Sequence, residues 1–387
     1  MLDLITSILI LLVVAIGLGQ LFESFSLPEI VGSIFAGILL GPAITGVILP
    51  SSQLSTISTL ALFFIVLQIG VEASSDIFSK NIRYVTGFAI TSFIIPLAAM
   101  SAVSLIVFKL PYLEAISTSL SISIPSISIT SVLLVRSGLI RTDDGLRLLG
   151  GVAMSDAVAF IILVSFHRPL STVAIDSASL AAFVVALYFL DTYLKSKSDF
   201  LISRFDRFSL REKEGIIFAG VILMGLATSV LFEFIGITFV LGAFFSGLII
   251  HQNTFGERTY GILKRTFQRM NSSFFVPLFF SISGLEVTRI PLFTVPYLLT
   301  MIVITAVLGG FAAYKFSRKY MRSIRPTVSL GIFGVRGAVG IIIASIAFSK
   351  GFINNVYYSV AVVASVIMAI AFTFVFERSL DKRSTFG

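Results

Sequence analysis

The chain has 387 residues, of which 56% are hydrophobic and only 12% charged, with a mean hydropathy of +1.02. Soluble domains carry about 25% charged residues, so half that supply excludes a water-soluble globule and implies a polytopic membrane protein. The lack of cysteine excludes disulfides, thiolate chemistry and Cys-based metal sites, and two histidines exclude a His-rich one. The net charge of +8 sits in short loops between apolar runs, which reads as topological loop bias rather than a nucleic-acid surface.

A bilayer-spanning helix needs roughly 20 mostly apolar residues. Thirteen runs satisfy this and define predicted helices 1–13, at about 4–20, 28–48, 57–74, 82–108, 113–137, 145–166, 172–194, 214–232, 235–251, 272–287, 293–316, 326–349 and 355–376. Their length and continuity exclude a β-barrel, whose strands are short and alternating. Predicted helix 1 has no basic leader and begins with Asp3, unlike a cleaved signal peptide. Glu72 lies near the end of predicted helix 3.

Predicted helix 5 contains Ser119-Leu-Ser-Ile-Ser-Ile-Pro125-Ser126-Ile-Ser128-Ile-Thr130-Ser131. Its polar residues alternate with period two, which suits an extended segment. Pro125 removes a backbone donor and bars a regular helix there. Such a break is tolerated at membrane depth only inside protein or beside a wet cavity.

Predicted helix 6 carries Asp156 at its centre, preceded by Ser155. An acid at that depth is costly and marks a functional site. Read functionally, Asp156 takes a proton or a cation in turn. Ser155, Ser126, Ser128, Thr130, Ser131 and carbonyls freed by the break would supply hard oxygen ligands to an alkali cation. Read structurally, the carboxyl only bonds a neighbouring serine. The segment at about 195–213 has mixed charges and reads as a solvated linker, and no loop is long enough for a soluble regulatory domain.

Glu286 lies near the end of predicted helix 10. Predicted helix 12 places Gly331, Gly334, Gly337 and Gly340 around Arg336, the only basic residue deep in an apolar run. The glycines allow unwinding or close helix approach. A buried arginine must pair with an acid or with unwound carbonyls. Glu72 and Glu286 are the candidate acids, with interfacial solvation as their alternative role.

Assigned to alternate sides, the Lys and Arg residues divide 23 against 4, with Arg336 inside a helix. This bias places the C-terminus in the cytoplasm of a plasma-membrane protein and the N-terminus outside. Ile34–Leu39 matches Phe244–Ile249 at an offset of 210, and Ile69–Glu72 matches Ser283–Glu286 at an offset of 214. Both matches shift by seven helices, an odd number, which gives an inverted-topology repeat. The repeats are helices 1–6 (about 4–166) and 8–13 (about 214–376), with helix 7 (about 172–194) as linker. Within that plan, helices 5 and 12 are the crossed, discontinuous pair.

Leu27-Pro-Glu-Ile-Val-Gly32 through Ala36-Gly-Ile-Leu-Leu-Gly-Pro42 resembles the helix-2 signature of monovalent cation/proton antiporters, the sodium/hydrogen exchanger-like superfamily, nearer its bacterial and archaeal Na⁺/H⁺ and K⁺/H⁺ members. Phe63–Glu72, Ile129-Thr130-Ser131 and Gly334-Val-Arg336-Gly-Ala-Val339 are similar to further segments of that family. The resemblance implies a core domain and a dimerisation domain, an elevator movement, a homodimer, and an ion-binding role for Asp156. It implies a monovalent cation and a proton as substrates and no cofactor or enzymatic activity. Two departures stand out. Ser155 replaces the first acid of the Asp-Asp pair of charge-moving members, and Thr305 or Ala306 stands where they carry lysine. One acid fewer and no exchanging lysine imply electroneutral exchange, with potassium as plausible as sodium. The alternatives are a cation channel or transport-inactive sensor on the same scaffold, or an organic-ion symporter on a related inverted-repeat fold.

Overall fold

The computed structural model describes residues 3–72, 83–139, 142–165, 210–234, 239–250, 257–320 and 326–381. Helices account for nearly all of them. These are α1 (Leu4–Ser24), α2 (Glu29–Leu40), α3 (Ser52–Glu72), α4 (Arg83–Ile106), α5 (Tyr112–Ser123), α6 (Ile127–Arg136), α7 (Asp143–Ser165) and α8 (Leu210–Phe234). They continue with α9 (Phe239–Leu248), α10 (Glu257–Met270), α11 (Val276–Leu285), α12 (Leu292–Tyr320), α13 (Pro326–Gly334), α14 (Ala338–Ser349) and α15 (Asn355–Asp381).

Among the described residues, seven helices are long and apolar enough to cross a membrane, and α2, α9 and α14 are shorter apolar helices. Every predicted run except 172–194 overlaps one of these helices or a pair of them. That run lies outside the described residues.

The first helix shows how these sequences meet lipid. The Thr6 N–H donates to the Asp3 carboxylate at 2.8 Å, capping the helix start. The buried residues of α1 are Ser7, Leu11, Ala15 and Gly19, spaced four apart on one face. Ile5, Leu9 and Val13, at 77%, 60% and 62% exposure, face away from it. An inner face of mostly small or polar groups opposite exposed large apolar ones is the pattern of a lipid-facing helix.

Three expectations change. Predicted helix 2 ends early: α2 stops before Gly41-Pro42, because a residue preceding proline leaves the helical region. The period-two stretch at 119–131 is not extended throughout. Ser119, Ser121 and Ser123 are helical and fully buried, and the last two donate their hydroxyls back to the carbonyls of Ser117 (2.8 Å) and Leu120 (3.1 Å). The alternation therefore reflects a helix buried on all sides. Finally, the stretch read as the loop after predicted helix 9 is helical from Glu257. It runs through α10 and a π turn at Asn271–Phe275 into α11.

The chain forms two compact units. One comprises residues 1–58, 80–163 and 277–387, and the other residues 59–79 and 164–276. Each contains a glycine crossing. In the first, a β-carbon on Gly37 would stand 2.8 Å from the Gly284 Cα and against the Ser281 carbonyl oxygen. In the second, a β-carbon on Gly247 would stand 2.8 Å from the Gly70 Cα and against the Leu67 carbonyl oxygen. Backbones can approach this closely only where there is no side chain.

Candidate functional site: a crossing of two broken helices

The first unit contains two helices that break and meet. α5 ends at Ser123, Ile124 to Ser126 run extended, and α6 resumes at Ile127. α13 ends at Gly334, and α14 resumes at Ala338 after Val335-Arg336-Gly337. The two extended segments pair antiparallel, with Pro125 opposite Arg336. Pro125 has no N–H to give, so the neighbouring Ser126 N–H donates to the Val335 carbonyl at 3.2 Å. The breaks expected at Pro125 and between Gly334 and Gly337 are both present.

Glycines make the crossing possible. A β-carbon on Gly337 would meet Ile129 Cδ1 at 2.9 Å and Ser126 Oγ at 3.2 Å. One on Gly340 would collide with the Ser121 carbonyl oxygen of α5, and one on Gly334 with the Phe372 ring of α15. Unwinding and close approach, the two roles open to these glycines, are therefore both used.

Each broken helix leaves a C-terminal and an N-terminal end inside the protein, with partial negative and positive charge. Arg336 answers the negative end of α13. It is fully buried, its Nη1 donates to the Phe333 carbonyl at 3.2 Å near the end of α13, and its Nη2 donates to the Ser92 carbonyl at 3.0 Å. Of the two kinds of partner expected for it, carbonyls rather than acids are found among the described residues. Glu72 instead accepts from Gln68 Nε2 at 2.8 Å, and Glu286 is half-buried just beyond α11.

Two further features of this cradle have no sequence signature. Ser92 belongs to a π turn at Ile90–Ile94 of α4, and Thr305–Gly309 of α12 forms another. A π turn interrupts the i→i−4 ladder and is frequent at functional sites. Thr305, one of the two residues at the lysine position of the resemblance, opens the second of these turns. The Thr305 hydroxyl is buried and donates to the Met301 carbonyl at 2.8 Å, and Gly309, one turn on, lies against the Arg336 guanidinium.

Asp156 lies within α7 and is fully buried. Neither carboxylate oxygen has a hydrogen-bond partner among the described residues. The Ser155 hydroxyl donates to the Gly151 carbonyl at 2.9 Å, so the neighbouring serine does not hold the carboxyl. The hydroxyls of Thr130 and Ser126 are also buried without partners among the described residues. The side chains of Ser128 and Ser131 lie outside what is described. Buried polar atoms are nearly always paired, and Thr118, Ser365 and Thr373 of the same unit share this lack of a partner among the described residues, so Asp156 is set apart by being the ionisable one.

Helices broken by extended segments that meet inside the protein are the architecture of secondary transporters. The comparisons agree. A family model described as the transmembrane sodium/hydrogen exchanger matches residues 8–381, and the chain belongs to that family. It is similar to the Na⁺/H⁺ antiporter of Enterococcus hirae, at 26% identity over 94% of each chain. It is similar to the Na⁺/H⁺-K⁺ antiporter GerN of Bacillus cereus, at 24% identity over 90% of this chain and 89% of that one. Its fold matches the sodium proton antiporter MjNhaP1 of Methanocaldococcus jannaschii with a TM-score of 0.71, at 15% identity over 97% and 96% of the two chains. The family is one of transporters, not of catalytic enzymes, and the chain is a multi-pass membrane protein.

Proposed function

We propose that the chain is a secondary-active antiporter exchanging Na⁺ or K⁺ for H⁺, with Asp156 as the shared carrier site. The observation that carries this reading is the Asp156 carboxyl, buried with both oxygens unpartnered among the described residues. A bare carboxylate there is costly, and a proton or a bound cation removes the cost. Since one group cannot hold both, each expels the other, and alternating access converts that competition into exchange. Ser155 and Thr130 supply further hard oxygens, with Ser128 and Ser131 as additional candidates. Arg336 holds a fixed positive charge at the crossing.

With one acid, Ser155 beside it and no lysine at Thr305 or Ala306 of α12, the exchange is electroneutral in this reading. The transporter works as a homodimer by an elevator movement, in a plasma membrane, with the N-terminus outside and the C-terminus in the cytoplasm. Thirteen spans form an inverted repeat. The two glycine crossings support this: Gly37 with Gly284 and Gly247 with Gly70 exchange under the offsets of 210 and 214. The extended pair, 211 residues apart, and the π turns at 90 and 305, 215 apart, fit the same relation.

The test is cation-driven proton movement in proteoliposomes. The Asp156→Asn variant, which can be neither charged nor titrated, is expected to abolish it for Na⁺, K⁺ and Li⁺. Exchange at the wild-type rate in that variant would remove Asp156 from the role.

A further inference from the structure

Helix α10 has three distinct faces. Leu263 and Phe267 are buried, Phe267 packs on Phe218 of α8 with ring centroids 4.7 Å apart, and the Tyr260 hydroxyl donates to the Val71 carbonyl at 2.9 Å. Arg258, Arg265 and Arg269, spaced seven and four apart, share an exposed face. Between these faces, Ile262 and Thr266 border a cavity of about 260 Å³ whose opposite wall is Gly215, Ile217 and Phe218 of α8. An apolar slot running beside a row of arginines fits a molecule with an apolar tail and an anionic head. The cavity takes a stretch of acyl chain rather than a whole lipid, which leaves the head at the arginine row. Within a membrane protein, the molecule with that chemistry is an anionic phospholipid.

We infer that the α8–α10 cavity binds one anionic phospholipid, its acyl chain between Ile217, Phe218 and Ile262 and its phosphate on Arg265 and Arg269. The site lies wholly in the second unit and does not depend on the antiport reading. Basic residues at a membrane surface each strengthen anionic-lipid binding by about fivefold, so the row contributes roughly a hundredfold. Gly215 is the sensitive position for the tail, because a β-carbon there meets nothing within 4 Å and a larger side chain would enter the cavity.

The experiment is native mass spectrometry of the purified full chain with added phosphatidylglycerol or phosphatidylcholine, alongside thermal unfolding. One phosphatidylglycerol per chain is expected to be retained in preference to phosphatidylcholine and to raise the melting temperature. Gly215→Leu is expected to abolish that retention while the protein still folds, with Thr266→Leu as the second cavity-filling variant should the first fail to fold. Replacing Arg258, Arg265 and Arg269 together by Gln is expected to weaken it on the order of a hundredfold. Equal retention of the two lipids overturns the proposal, as expected if the chain's own residues fill the cavity. So does a phosphatidylglycerol preference that survives in the cavity-filling variant, which would put the lipid on the open arginine face alone.

Discussion

The guanidinium of Arg336 lies against Gly309: a β-carbon on residue 309 would stand 2.7 Å from Nη2, the nitrogen that donates to the Ser92 carbonyl. The α12 backbone thus leaves room for a charge that reaches it from α13–α14. Gly309→Ala would push Nη2 off Ser92. Breaking a hydrogen bond from a buried charged group costs about 1.5–3 kcal/mol. The expected outcome is a lower melting temperature together with slower exchange. Unchanged values of both would mean that the guanidinium has another equally good seat.

Arg336 itself bridges two carbonyls with separate nitrogens of one planar fork. Lysine offers a single point charge and cannot span both. Arg336→Lys is therefore expected to lose much of the stability that Arg336→Ala loses, although it preserves the charge. Melting curves of the two variants in one detergent check this. A lysine variant as stable as wild type would show that charge alone suffices.

The glycine crossings make a matched pair of stability predictions. A methyl on Gly37 or on Gly70 collides with backbone carbonyls, those of Ser281 and Phe244, which cannot rotate away. Overpacking of this kind costs about 1–3 kcal/mol. Gly37→Ala and Gly70→Ala are expected to destabilise by comparable amounts, read by thermal unfolding. Gly17→Ala, with nothing within 4 Å of its β-carbon, is the control and should be neutral or mildly stabilising.

Thr130 separates ligand from packing. Its hydroxyl is buried with no partner among the described residues, so exchanging it for a methyl removes no protein hydrogen bond. Thr130→Val is expected to leave the melting temperature unchanged or raised. If the oxygen binds the cation, the same variant raises the apparent KM for that cation about tenfold, the value of one lost contact of ~1.4 kcal/mol. A purely structural hydroxyl would leave KM untouched.

Much of this was legible from residue patterns. Apolar length located the described helices other than α10, Pro125 located one break, and the deep arginine and acid of the apolar runs are Arg336 and Asp156, both fully buried. The reach of the breaks was not legible. Period-two serines mimic a strand, but in a helix buried on every side hydroxyls can sit at any spacing and bond back to their own turn, as Ser121 and Ser123 do. The seats of Arg336 were also hidden, because a π turn is a backbone event with no residue type to announce it. Glu257–Met270 falls between the continuous apolar runs because its apolar residues recur at helical spacing among charges.

The central claim is that one carboxyl, Asp156, carries the cation and the proton by turns. The most direct measurement is the apparent cation affinity of the purified protein in proteoliposomes as a function of pH, with the membrane potential clamped. Competition at one site requires the apparent KM for the cation to rise in proportion to proton concentration on the acid side, about tenfold per pH unit, with the maximal rate held. A cation KM that stays constant as the pH falls would contradict a shared site.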